Sequence, residues 1–419
     1  MGVMVRMQRV RKVRDKMRRS SNPRRIVVSG SWLLAALSFA AVTSQQKAQA
    51  QQLRLTNPLN MDRSEVVEIP LQQVSKKLGT TAEKLQFLVA IDVASGNRVP
   101  TQLYNDKPGN PPDSLLLFVH LAANGTENVK FHIDPNAPTQ QPLVFGREAA
   151  ERKDDFAWEN QLVTYRVYGP ALQATGEIAS GIDVWSKRVP NFVIDSFYQR
   201  DLEGSRTHNP SMSYHKDNGV GLDSYYVGPT RGCGGTAVWA DGKLFASKNY
   251  TTFKLLGNGP IRFAFQLSYA PWQAGAHMVQ ETKTITLDAG THFNKIVSTY
   301  TFGGDEPLDL AAGIAVHEGA DAAVSADSTI ASVWDTPQDP SAAKIATGLV
   351  TLPGQKAKTI EAAGHALMIF QRRSGEPFTY YAGAGWLKAD MPTWDAWKSY
   401  LDSVLIQREH PVTIGWTKQ

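Results

Sequence analysis

The stretch Ile261-Arg-Phe-Ala-Phe-Gln-Leu-Ser-Tyr269 decides the fold class. Ile261, Phe263, Phe265, Leu267 and Tyr269 alternate with Arg262, Ala264, Gln266 and Ser268, the two-residue period of a strand with one buried face. Working outward, residues 279–287 and 295–302 are rich in β-branched and aromatic side chains, and Asp288-Ala-Gly290 between them reads as hairpin punctuation. Residues 115–121, 162–168, 366–371 and 378–382 follow the same pattern, as does a tail over 412–416. One helix is expected from Trp394, where Trp397, Leu401, Val404 and Leu405 recur at helical spacing behind Pro392 and a capping Thr393. A shorter helix is expected near 70–77.

These elements predict a mainly β protein of antiparallel sheets packed as sandwiches, with one C-terminal helix. The Pro- and Gln-rich piece 134–142 marks a boundary. A small β-sandwich is expected over 51–140. Residues 141–419 exceed what an immunoglobulin-like sandwich needs, and fit a large two-sheet sandwich of the galactose mutarotase kind. With 419 residues, 42% of them hydrophobic, the chain can bury a full core and is neither disordered nor collagen-like. Its single cysteine excludes an internal disulfide and any thiolate-based metal cluster.

The formal net charge of +5 is misleading, because residues 1–50 hold eleven Lys and Arg against Asp15. That segment carries +10 and the remainder −5. The basic run is followed by an apolar run over 26–42 and by Ala48-Gln-Ala50, the order of a secretory signal peptide. Arg24-Arg25 fits a twin-arginine signal only loosely, and an ordinary Sec signal fits better. Residues 1–50 are therefore expected to be removed. The mature protein is expected in the periplasm or outside the cell, without a stable membrane anchor and without nucleic acid as a partner.

Chemistry concentrates between Asp195 and Lys248. His208 is followed by YHKDNGVGLDSYYVGPTRGCGG (residues 214–235), with six glycines from Gly219 onward. So many glycines point to backbone that bends sharply or approaches something closely. The interleaved Tyr, His, Asp and Arg suit a carbohydrate cleft, where aromatic faces stack on sugars and charges hold hydroxyls or a carboxylate. His208, Tyr214, His215, Tyr225 and Arg231 are the candidate catalytic residues. Arg166, on a strand with apolar neighbours, needs an acidic partner or an anionic ligand if it points inward. Asn160, Arg166, Lys187, Arg188, Asp217, Asp223, Tyr226, Trp239 and Lys248 are candidate substrate-binding residues. His317 and His365, beside apolar strands, are second-rank candidates. His208 and His215 lie seven apart, and Asp217, Asn218 and Asp223 lack the acidic pattern of a calcium loop, so spacing supports neither zinc nor calcium. No cofactor is expected. Cys233 reads as a small residue in a tight loop, and G-x-S-x-G does not occur.

The strings FAWENQLVTYRVYGPAL (156–172), GIDVWSKRVPNFVIDSFY (181–198), the glycine-studded run, NGPIRFAFQLSY (258–269) and YYAGAGWLKADMPTWDAW (380–397) resemble a family of secreted bacterial proteins known as a domain of unknown function. Members of that family accompany enzymes that degrade pectin, rhamnogalacturonan and other uronate polysaccharides. The resemblance implies a carbohydrate role and a mutarotase-like sandwich, and it supplies no catalytic residues. A lyase acting on a uronate by β-elimination is the leading expectation. Arg231, Arg166 or Lys187 would neutralise the carboxylate, His215 or His208 would be the base, and Tyr214, Tyr225 or Tyr226 the acid. Hydrolysis by paired carboxylates drawn from Asp217, Asp223 and Glu159 is the alternative, as is a non-catalytic, mutarotase-like sugar-binding protein.

Overall fold

A computed structural model describes residues 51–107, 109–337 and 339–418, so the expected signal peptide lies outside the described residues. The chain is mainly β, with its sheets antiparallel throughout the named strand pairs. The N-terminal layer sets Gln51–Thr56, Thr126–Ile133, Leu88–Asp92 and Arg98–Val99 in one sheet and Arg63–Pro70, Ser114–Leu121 and Thr101–Tyr104 in another. Leu53, Leu55, Val67, Ile69, Leu115, Leu117 and Val129 pack between them. Its outer edge is closed by the last strand, Thr413–Lys418, with Leu53 opposite Trp416 and Leu55 opposite Ile414. The N-terminal layer thus takes a strand from the far end of the chain. Pairing across that distance leaves no local signature in the sequence.

The larger part packs a nine-stranded sheet, centred on His277–Asp288, Phe293–Phe302 and Pro377–Trp386, near a five-stranded one built on Cys233–Ala240, Leu308–Ala315 and His365–Arg372. The alternating residues Phe263, Phe265, Leu267, Ile285 and Leu287 are buried in the common core. A further five-stranded sheet, in the order Gly221–Asp223, Asp183–Lys187, Thr164–Val167, Asp155–Asn160 and Val144–Ala149, carries the site described below. Among the described residues four α-helices accompany the sheets: α1 Leu71–Leu78, α2 Pro170–Ala174, α3 Ile194–Thr207 and α4 Trp394–Glu409. None among the described residues is long and apolar enough to cross a membrane.

Helix α4 begins as its sequence suggests, with the Thr393 hydroxyl accepting from the Ala396 N–H at 3.1 Å. Trp397, Leu401 and Val404 face the nine-stranded sheet. The helix can approach because Gly348 has no side chain: a Cβ there would lie 2.5 Å from Leu401 Cδ2. Trp397 is fully buried, stacks on Phe293 at 5.8 Å and donates its indole N–H to the Thr347 carbonyl. Trp397→Ala should cost about 3–5 kcal/mol of unfolding free energy, the usual range for truncating a buried aromatic, measurable by denaturant titration.

Candidate functional site

Strand alternation builds the site. In the sheet that runs from Val144–Ala149 to Gly221–Asp223, Phe156, Trp158, Tyr165 and Val184 point into the main core, whereas Ala157 and Trp185 belong to a second apolar cluster under α3. Asp155, Glu159, Arg166, Asp183 and Lys187 share the phase of Ala157 and Trp185. Arg166 pairs directly with Asp183 across neighbouring strands, and Trp185 with Asp223. A strand face that alternation alone would assign to water is instead roofed by α3 and the loop after it. Its charged residues are buried: Asp183 0%, Asp223 2%, Asp155 3% and Arg166 4% exposed.

Arg166 answers the question its position raises, because it has acidic partners. Its Nε and Nη2 donate to Asp183 Oδ2 at 2.9 and 2.5 Å, and Nη2 also reaches Asp223 Oδ2 at 2.8 Å. Asp155 Oδ2 lies 3.6 Å from Nη1. The guanidinium lies 4.8 Å from the centre of the Tyr168 ring and 5.1 Å from that of Trp185. Three carboxylates around one arginine, with Arg152 nearby, leave an excess of negative charge in a dry place. Burial accordingly pushes Asp155 up to about 7, against the pull of Arg166 and Arg152. Burial, helped by Asp183, pushes Asp223 up as well.

Above this cluster lies a cavity of about 440 Å³. Its floor is Asp155, Arg166 and Asp223, and its walls include Arg152, Tyr168, Tyr214, His215, Tyr225 and Tyr226. The Tyr214 oxygen accepts from Arg152 Nε and Nη2 at 3.0 and 2.5 Å and from Arg166 Nη1 at 3.1 Å. Burial outweighs both arginines and raises the phenol above its usual range, so it keeps its proton at neutral pH. His215 stands beside it, ring centres 4.5 Å apart, with Nδ1 3.0 Å from the Asp223 carbonyl oxygen. A carbonyl only accepts, so Nδ1 carries the proton and Nε2 is left as a lone pair. Burial lowers its affinity for a second proton.

The expected site residues therefore divide. Tyr214, His215, Tyr225, Tyr226, Asp223 and Arg166 converge on the cavity, with Tyr226 52% exposed at its rim. His208 and Arg231 do not join them. His208 ends α3 in a left-handed conformation and borders a shallow depression with Asp201 and Asn209. Arg231 is buried between strands, its N–H donated to His365 Nε2 and its Nη1 to Ser180 Oγ. Lys187 is fully buried, 2.8 Å from Glu159, whose carboxylate also accepts the N–H groups of Val193 and Ile194 at the start of α3. Asn160 closes a turn, donating to the carbonyls of Asp288 and Thr291. Arg188 and Asp217 pair with each other, and Lys388 joins Asp217 at 3.4 Å. Trp239 packs on a separate cluster with Ala311 and Leu367, and Lys248 is exposed outside the cavity.

Arg152, Asp155, Tyr168 and Asp183 complete the site without having been singled out for it. For Asp155 and Asp183 a signal was present, since each opens a strand in the same alternation phase as Trp185. Helix α3 also has its mark in Ile194, Phe197 and Tyr198, spaced one helical turn apart. Part of the glycine density is structural, since Gly232 sits at φ +56° and a Cβ there would lie 2.1 Å from the Ile182 oxygen. Cys233 is buried, and burial pushes its thiol far up, which fits a packing role. Among the described residues no group of three or more His, Cys, Asp or Glu is placed to hold a metal ion.

Two outcomes follow from this charge balance. Asp183→Ala removes the carboxylate that accepts from both Nε and Nη2 of Arg166, leaves Nε buried without an acceptor and should cost about 3–5 kcal/mol, read by denaturant unfolding. Asp155 binds its proton more tightly folded than unfolded, so its contribution to stability is full at low pH and is lost as pH rises toward 7. Asp155→Asn has no proton to lose, so its stability relative to the unchanged protein should rise between pH 4 and pH 8 in parallel melting curves.

Comparison with known proteins places the chain in a family. The chain is 27% identical over 405 residues to Uncharacterized protein P7 of Formosa agariphila, covering 92% of this chain and 98% of that protein. Among solved structures it aligns with an alpha-mannosidase from Enterococcus faecalis V583 at 10% identity and a TM-score of 0.48, covering 88% of this chain and 46% of that one. A protein of glycosyl hydrolase family 38 from Enterococcus faecalis aligns at 11% identity and the same TM-score, with 88% and 47% covered. The chain thus spans less than half the length of either solved protein. The family model described as domain of unknown function DUF4861 matches residues 55–414, and the chain belongs to that family.

Proposed function

We propose that this protein is an exported carbohydrate-active enzyme that cleaves a glycosidic bond next to an acidic sugar, by hydrolysis. The observation that carries the reading is the pairing, in one cavity, of a carboxyl group titrating near neutrality with a neutral imidazole: Asp155 at about 7 and His215 with Nε2 unprotonated. A carboxylic acid poised there can protonate a leaving sugar oxygen, and an imidazole can take the proton of an attacking water. The rest of the wall fits the substrate class. Arg152 and Lys153 bring positive charge to the cavity, and the exposed Tyr226 offers a ring face for stacking on a pyranose. The resemblance drawn from the sequence makes uronate polysaccharides the panel to test, with residues 1–50 taken as the leader that exports the chain.

In this reading a sugar carboxylate lies toward Arg152 and the ring lies on the tyrosines. Asp155 donates its proton to the glycosidic oxygen as that bond breaks. A water deprotonated by His215 attacks the anomeric carbon, and Arg166 keeps the Asp155 carboxylate in place once it is ionised. Tyr214, whose oxygen already accepts from two arginines, has its own O–H free to hold a sugar oxygen.

One observation favours a second reading. Tyr214 and His215 are in ring contact beneath two guanidinium groups, the arrangement β-elimination needs: cations to acidify the C5 proton, a base to take it and a phenol to protonate the leaving group.

The product separates the two. Incubation with rhamnogalacturonan fragments, trigalacturonate and glucuronate-capped oligosaccharides should release new reducing ends without near-ultraviolet absorbance. An absorbing C4–C5 double bond would establish elimination instead, and no product across the panel would remove the enzymatic reading. Asp155→Asn and His215→Ala should each lower turnover about 10²–10⁴-fold. His215, whose side chain is 54% exposed, should leave the melting temperature nearly unchanged when replaced.

A further inference from the structure

Behind the tyrosine wall of the cavity sits a second polar group that the reaction does not use. His317 follows the strand Leu308–Ala315, and its Nδ1 lies 2.6 Å from Asp335 Oδ2 at the end of the strand Ile330–Asp335. The carboxylate is 3% exposed and the imidazole 20%. The His317 ring meets both wall residues, edge-on to Tyr225 at 5.7 Å and tilted against Tyr226 at 6.0 Å. Tyr226 in turn folds over Gly228, where a Cβ would lie 2.6 Å from its hydroxyl oxygen. Tyr226 thus touches both Gly228 and His317.

Asp335 Oδ1 is buried here without a hydrogen-bond partner, and the Tyr225 and Thr347 hydroxyls lie beside each other. Asp335 and Thr347 lie on one face of adjacent strands, since Val333 faces Thr347 and Asp335 is two residues on. Tyr225 and His317 close over that face. The Asp335 carboxylate, and after it the Tyr226 backbone, raise the His317 affinity for protons.

We propose that Asp335 and His317 form a positioning pair that holds the Tyr225–Tyr226 wall against the bound sugar, and so sets how tightly the cavity grips an acidic saccharide. Asp335 fixes the imidazole ring through Nδ1, and the fixed ring bears on both Tyr225 and Tyr226. Without that bond the ring is free to turn and the wall loosens. The groups facing His317 are Asp335, the two tyrosines and His365. His365 stays neutral, because burial lowers its proton affinity and Nε2 accepts the Arg231 N–H. The inference rests on the cavity being the saccharide site, and it adds to that reading a residue pair that governs affinity without touching substrate.

Calorimetric titration of the full chain with trigalacturonate and with a glucuronate-capped trisaccharide tests it. Tyr226→Ala should weaken binding roughly threefold to tenfold, the range of one aromatic contact. His317→Phe, which keeps a ring but no nitrogen, should lose as much at every pH. Asp335→Leu, which removes the acceptor that fixes the ring, should lose as much at pH 7.5, whereas Asp335→Asn, whose amide oxygen still accepts from Nδ1, should stay within about twofold of the unchanged protein. If His317→Phe fails to fold, the difference between the two Asp335 variants decides. Binding by His317→Phe and Asp335→Leu equal to the unchanged protein at pH 7.5, or equal loss by the two Asp335 variants, would overturn the positioning role. If Arg152→Ala and Tyr226→Ala bind as the unchanged protein does, or no probe binds, the saccharide site itself falls, and the two failures are told apart by these controls.

Discussion

A single guanidinium organises this molecule. Arg166 lies in mid-sheet with three aspartates and three aromatic rings around it, and almost none of that group reaches water. Desolvating so many charges is expensive, and the attraction among them offsets the expense only while every partner is present. The arrangement is therefore weak as a source of stability and strong as a constraint. It fixes the relative places of strands Asp155–Asn160, Thr164–Val167, Asp183–Lys187 and Gly221–Asp223, each of which contributes one member. Removing a member leaves a buried donor or acceptor without its partner, so the four strands are held in register by electrostatics as well as by their ladders.

The same constraint makes the site reactive. Burial, with Asp183 adding repulsion, outweighs the pull of Arg166 and Arg152, which is why Asp155 holds its proton at higher pH than an ordinary surface aspartate. Tyr214 links this floor to the wall, its oxygen shared between Arg152 and Arg166. Its neighbour His215 is set by the Asp223 backbone. Acid, phenol and imidazole thus derive their geometry from one charged cluster.

Helix α3 converts that cluster from a wet surface into a dry floor. Its docking depends on Glu159, which accepts the first N–H groups of the helix while Lys187 balances its charge, and on Phe197 and Tyr198 packed over Trp185. An anion at a helix N-terminus is favourable on its own, and burial beside a lysine strengthens it. Lys187 and Glu159 therefore act on the site from a distance, by holding its roof. Arg188 and Asp217 do something similar for the loop that carries His215, tying it to Lys388 and to the Trp386 ring.

The amino-acid sequence by itself determined the sheets. Alternation from Ile261 to Tyr269, the segment beginning at Val279 and the helix from Trp394 are local properties, and local periodicity survives in one dimension. It also marked the segment 214–235 as chemically dense, and named Tyr214, His215, Asp223, Tyr225, Tyr226 and Arg166 among the candidates that meet at the cavity. Tertiary structure decided what local order does not contain. Residues 413–418 close a sheet begun at Gln51, His317 reaches the back of Tyr225, and Lys187 and Arg231 are buried against partners far along the chain. Above all, a polar strand face looks the same in sequence whether water or a helix covers it. Only the packing of α3 takes Asp155, Arg166, Asp183 and Asp223 out of solvent, and desolvation, which sequence spacing cannot encode, is what gives those residues their chemistry.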